Sequence, residues 1–156
     1  IENGSETDTL TTEEITKNHK NLTKTQQLQN KMYQTVQLNK FGWINCDRFV
    51  RNQKSTNLYY TFNDNDSIVS ANVYLVFKDR NSIINNFYFK QNDSQYVNGF
   101  FNIPLQSNTK LIAFSVKNDK IYSFQSDVVV TPNQTIQLNM VETSEEEMNK
   151  LFKLNE

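Results

Sequence analysis

From Gly42 to about Val141 the chain alternates short apolar runs with clusters of Asn, Asp, Ser and Lys. Eight runs read as strands: Trp43–Val50, Leu58–Phe62, Ala71–Lys78, Ile83–Phe89, Gln95–Pro104, Lys110–Lys117, Lys120–Ser126 and Thr135–Val141. Within them apolar residues recur at every second position, which places Val73, Leu75 and Phe77 on one face. The same spacing groups Phe101 with Ile103 and Leu105, Ile112 with Phe114 and Val116, Tyr122 with Phe124, and Ile136 with Leu138 and Met140. Asn118-Asp119 between two runs is a tight-hairpin signal, and Thr131-Pro132-Asn133 punctuates the approach to the last strand. Short strands at regular spacing without intervening helices predict a mainly β fold, an antiparallel β-sandwich of at least six strands.

Both ends depart from this pattern. Residues 1–10 are polar and acidic without periodicity and read as a disordered tether. Residues 11–40 read as a helical arm. Thr11 and Glu14 form a capping box, and Ile15, Leu22, Leu28, Met32 and Val36 make a thin apolar stripe. The stretch from Asn18 to Thr25 is a poor helix former, so the arm is either broken there or gives way to a strand near Met32–Val36. At the other end Ser144-Glu145-Glu146-Glu147 opens a short C-terminal helix with acid at its positive pole, and Met148, Leu151 and Phe152 form its apolar face. Residues 41–156 are thus expected to be a sandwich with a terminal helix.

Composition narrows the functional classes. A chain of 156 residues with net charge −1 offers no electrostatic case for nucleic acid or acidic lipid. No apolar run approaches the ~20 residues needed to cross a bilayer. The chain starts at Ile, so it is expected to be processed or trimmed, with any signal peptide or lipid-anchored Cys already removed. Asn and Gln make up about a fifth of the residues, as in proteins of AT-rich genomes. The five N-x-S/T sequons, at Asn3, Asn21, Asn65, Asn92 and Asn133, are what such a composition produces by chance.

Candidate chemistry is sparse. One His (His19) and one Cys (Cys46) fall short of a zinc ligand set, and nothing places them together as a nucleophilic pair. There is no phosphate-binding Gly loop, no GxSxG and no HExxH. No catalytic residue, metal site or cofactor is therefore expected. Asn63-Asp64-Asn65-Asp66-Ser67 is oxygen-rich, but it lacks the Gly and distal Glu of an EF-hand and reads first as a solvated turn.

The densest concentration of rare residues is Phe41–Phe49, which holds the single Trp and the single Cys. As a strand it alternates Trp43, Asn45, Asp47 and Phe49 against Ile44, Cys46, Arg48 and Val50. Neither face is purely apolar. It is either a core strand with a buried polar network or a recognition surface built on Trp43, Asn45, Asp47 and Arg48. Tyr59, Tyr88 and Phe100 are further candidates for contact, since their strands carry aromatic rings on both faces.

The string Gly42-Trp43-Ile44-Asn45-Cys46-Asp47-Arg48-Phe49 resembles a signature of uncharacterised envelope and lipoprotein-type proteins of Bacteroidota, where it precedes a small β-sandwich. The later segments Val73–Phe77, Phe101–Pro104, Lys110–Val116 and Ile136–Met140 are similar to prealbumin-like modules such as carboxypeptidase regulatory-like domains. The resemblance implies an Ig-like or prealbumin-like sandwich without catalytic residues. It also implies export to the periplasm or outer-membrane surface, with membrane association only through an upstream lipid anchor. Asp8-Thr9-Leu10 and Asp66-Ser67-Ile68 resemble the O-glycosylation triplet of that phylum, which marks Thr9 and Ser67. The expected function is protein–protein contact in an outer-membrane or periplasmic assembly. The alternative is a carbohydrate-binding module that uses exposed aromatics, with or without calcium.

Overall fold

Successive residues of the segment Asn72–Phe77 enter two different cores. Val73, Leu75 and Phe77 belong to one buried cluster, Tyr74 and Val76 to another. A strand buried on both faces reads as a continuous apolar run, and this one lies inside a three-layer stack. The computed structural model describes residues 22–38, 42–43, 54–63, 68, 70–79, 82–92 and 95–152.

The elements in chain order are α1 (Lys24–Leu38), β1 (Gly42–Trp43), β2 (Ser55–Phe62), β3 (Asn72–Phe77), β4 (Ser82–Asn85), β5 (Phe87–Asn92), β6 (Gln95–Pro104), β7 (Asn108–Lys117), β8 (Lys120–Val129), β9 (Gln134–Leu138), β10 (Val141–Thr143) and α2 (Glu145–Leu151). Sheet A runs β1-β4-β3-β7-β8-β10 and sheet B runs β5-β6-β2-β9. The protein is thus mainly β, a two-sheet sandwich with a short C-terminal helix. It is not wholly antiparallel, because β1 pairs parallel with β4 and β2 parallel with β9.

Between the sheets lie Leu58, Tyr60, Phe100, Ile103 and Leu138 from sheet B, facing Val73, Leu75, Phe77, Ile84, Leu111, Ala113 and Val128 from sheet A. The second cluster covers the outer face of sheet A. Tyr74, Val76, Ile83, Ile112, Phe114 and Ile121 meet Leu28 and Met32 of α1, together with Met148, Leu151 and Phe152 at α2. The expected Ile112–Phe114–Val116 face is therefore real, but it faces the helices rather than the opposite sheet.

The helices are set by their caps. Thr23 Oγ1 accepts from the Gln26 amide (3.2 Å) and the Gln26 side chain accepts from the Thr23 amide (2.9 Å), a reciprocal box that starts α1. The Thr11 box, like the tether at residues 1–10, lies outside the described residues. α1 continues through Met32–Val36, so no strand begins there. Lys31 bridges Glu145 of α2 at 3.1 Å, and Tyr33 donates to Asn72 Oδ1 at 3.0 Å. Within the arm, residues 24–38 thus pack on the outer face of sheet A through Leu28 and Met32. Ser144 and Glu147 complete the expected box on α2.

Two expected strands prove to be pairs. Ile83–Phe89 divides at Asn86 into β4 of sheet A and β5 of sheet B, with the Asn86 amide donating to the Val73 carbonyl. Thr135–Val141 divides into β9 and β10, again one in each sheet. Of Trp43–Val50, only Trp43 is described, together with Gly42 as β1. The Asn118-Asp119 hairpin is present, both residues left-handed (φ 50° and 60°) between the paired Lys117 and Lys120.

Candidate functional site

The two outer surfaces of the sandwich differ. Sheet A is covered by α1 and α2, whereas no described helix covers sheet B. The outward positions of β2 are Asn57, Tyr59 and Thr61, and the parallel register sets Tyr59 beside Thr135 and Thr61 beside Gln137 of β9. Thr61, Thr135 and Gln137 are exposed. The result is a strip of hydroxyl and amide groups without a charge.

A bulge in β6 organises the middle of this surface. Ile103 pairs with Thr56 and Phe100 with Leu58, so Phe101 and Asn102 together face Asn57. Asn102 takes φ 52°, and its amide donates to Asn57 Oδ1 at 3.4 Å. The extra residue resets the alternation. Phe100 and Ile103, three apart, both point inward and are 1% and 0% exposed. The expected Phe101–Ile103–Leu105 face is thereby corrected, with Phe101 and Leu105 only partly buried. Phe100 is likewise corrected, being a core ring tilted against Tyr60 at 6.2 Å and not a contact residue.

Tyr59 has a structural part as well. It lies against Gly99 of β6, where a Cβ would sit 3.2 Å from its ring and 2.7 Å from the Leu58 carbonyl oxygen. Asn57 Nδ2 donates to the Tyr59 hydroxyl at 3.1 Å. One amide side chain thus ties both the bulge and the ring. Tyr88 pairs through its backbone with Asn98, and Trp43 with Ile83; their side chains lie outside the described residues. So do Asn45, Asp47, Arg48, Thr9, Ser67 and residues 64–67 of the oxygen-rich turn. The residues that form the strip, Asn57, Thr61, Thr135 and Gln137, were not singled out from sequence. Their signal in the sequence is the polar half of an alternation whose apolar half forms the core.

Electrostatic features lie elsewhere. Lys78 bridges Asp127 at 2.8 Å on the side of sheet A away from the strip, and this hydrogen bond holds the Asp127 carboxyl below its ordinary value. Hydrogen bonds from the Ser144 backbone and hydroxyl, then from Thr143, lower the Glu147 carboxyl. Burial, with Tyr33 nearby, pushes the Tyr74 phenol up to about 12. A groove of about 460 Å³ runs between β8, β10 and α2, past Ser123, Asn139, Val141 and Lys150. Glu147 on its wall is committed to the helix cap. Among the described residues no three His, Cys, Asp or Glu side chains gather as a metal site, and no helix is long and apolar enough to cross a membrane.

Comparison with protein-family models, with curated proteins and with solved structures gives no match for this chain.

Proposed function

We propose that the protein is a non-enzymatic, exported component of an outer-membrane or periplasmic assembly, and that it works by protein–protein contact through the outer surface of sheet B. The observation that carries this reading is that the helices among the described residues cover sheet A alone. Two helices cover sheet A and bury an apolar cluster there, while sheet B presents Thr61, Thr135 and Gln137 to solvent. An uncharged hydroxyl and amide surface loses little on desolvation when a partner supplies matching hydrogen bonds, and it carries no field that would repel one. The cellular placement rests on the resemblance of residues 42–49 and on the polar leading segment.

The glycan alternative is less well supplied. Of its three rings, Phe100 is in the core, Tyr59 is held against Gly99, and the Tyr88 side chain lies outside the described residues. The test is affinity capture from native envelope fractions with the parent chain and with Thr61→Arg, a change at an exposed position. Capture of one defined protein by the parent and its loss with Thr61→Arg supports the reading. Equal capture by both, or retention of polysaccharide alone, contradicts it.

A further inference from the structure

We propose that β9 is a self-pairing edge: two copies of this chain join by antiparallel β9–β9 contact about a two-fold axis at Ile136, fusing two four-stranded sheets into one. This goes beyond the envelope reading and does not depend on it.

β9 ends sheet B, and no described strand lies on its far side. The direction of its backbone groups follows from one hydrogen bond. The Leu138 carbonyl accepts from the Asn63 amide at 3.4 Å, so the backbone of Leu138 faces β2. Backbone direction alternates along a strand, so Gln134 and Ile136 also face β2. Thr135 and Gln137 therefore turn their amides and carbonyls outward, giving two donors and two acceptors along an open edge.

Edges of this kind are normally blunted by charge, Pro, a bulge or shortness. β10 has three residues including Glu142, β1 has two residues, and β5 carries Lys90. β9, Gln134-Thr135-Ile136-Gln137-Leu138, is the one described edge strand of five or more residues with none of these guards.

Its sequence is matched to itself. About a two-fold axis at Ile136, Thr135 of one copy faces Gln137 of the other, and both are outward-bonding positions. Two hydrogen-bonded pairs form, with four N–H···O=C bonds in all. Ile136 meets its own symmetry mate as the close, non-bonded pair between them. Ile136 packs on the inter-sheet core, so the joined sheet keeps its apolar side continuous. A slip of one residue would set outward groups against inward ones and turn Ile136 to the polar side. Neither edge carries charge, so two copies approach without repulsion.

A strand of this length spans about 17 Å. A contact confined to one such strand buries far less than the ~800 Å² per partner of stable complexes, so the dimer forms only at high concentration. Sedimentation velocity from about 10 µM to about 1 mM covers the range expected for such a contact. The parent should rise from monomer toward dimer mass. Gln137→Pro deletes one outward amide per copy, hence two of the four bonds, and leaves the β2 ladder intact because Pro is tolerated where its nitrogen faces solvent. Gln137→Lys sets a charge at the same exposed position and decides the matter if the Pro variant is poorly folded. Both should remain monomeric over the range with the parent's thermal midpoint. A parent that stays monomeric at the highest concentration overturns self-pairing and leaves the edge to a different strand. So does a Gln137→Lys variant that dimerises like the parent.

Discussion

Replacing Met32 with Ala tests whether α1 is part of the fold or a detachable arm. Met32 is 1% exposed and sits in the cluster formed by Tyr74, Val76, Ile112, Phe114, Met148 and Phe152. A 15-residue helix with a polar sequence is marginal alone, so its order comes from this docking. Truncating a buried Met to Ala costs about 2–5 kcal/mol, and the higher helix propensity of Ala returns only a few tenths. The site lies between a helix and a sheet, which can close partly over the gap, so about 2–3 kcal/mol is expected. For a chain of this size that corresponds to a fall in thermal midpoint of roughly 5–10 °C. Urea unfolding followed by far-ultraviolet circular dichroism and by Trp43 emission should shift as one transition. Gln29→Ala, on the exposed side of the same helix, should stay within about 0.5 kcal/mol of the parent. A Met32→Ala loss below 0.5 kcal/mol, or a separate early transition with the main one unmoved, would refute the view that α1 and the sandwich fold together.

Two further changes test local features. Gly99→Ala should destabilise by about 1–3 kcal/mol in urea melts, because its Cβ would meet the Leu58 carbonyl oxygen at 2.7 Å; adding Tyr59→Ala should not restore stability, since the nearer obstacle is backbone. Glu147 has a carboxyl below its ordinary value in the folded state, so its contribution is present above about pH 4.3 and is lost as pH falls through the folded value. Thermal melts of the parent and Glu147→Ala should therefore differ at pH 6.5, and the gap should narrow steadily as the pH is lowered below about 4.3, whereas a gap that widens in acid would contradict the cap as its source.

What could be read from sequence was whatever local chemistry decides. Asn118-Asp119 forces a tight turn, and Ser144 with Glu147 starts a helix, wherever they stand. Outside the bulged β6, alternation found which residues share a face, but not which layer that face meets. Ile112 and Phe114 could equally have faced a sheet or a helix. The sheet crossings at Asn86 and Asn139–Met140 carry no Gly or Pro, so each pair of strands looked like one. The bulge at Asn102 was hidden for a related reason. With three Gly in the chain, Asn takes left-handed positions here and at Asn118 and Asn133, and one Asn among so many gives no signal. That missed residue turned Phe100 from an outward ring into a core one. The strip on sheet B was obscured because polar positions of a strand look alike until the described helices are seen to lie on sheet A.

Site-directed photocrosslinking addresses most directly the idea that sheet B is the contact surface. A benzoylphenylalanine at Thr61 on sheet B and one at Gln29 on the exposed side of α1 would be activated in native envelopes. The expected result is a discrete protein adduct from Thr61 and none from Gln29. An adduct from Gln29 with none from Thr61 would place the partner on the helical side and contradict the proposal.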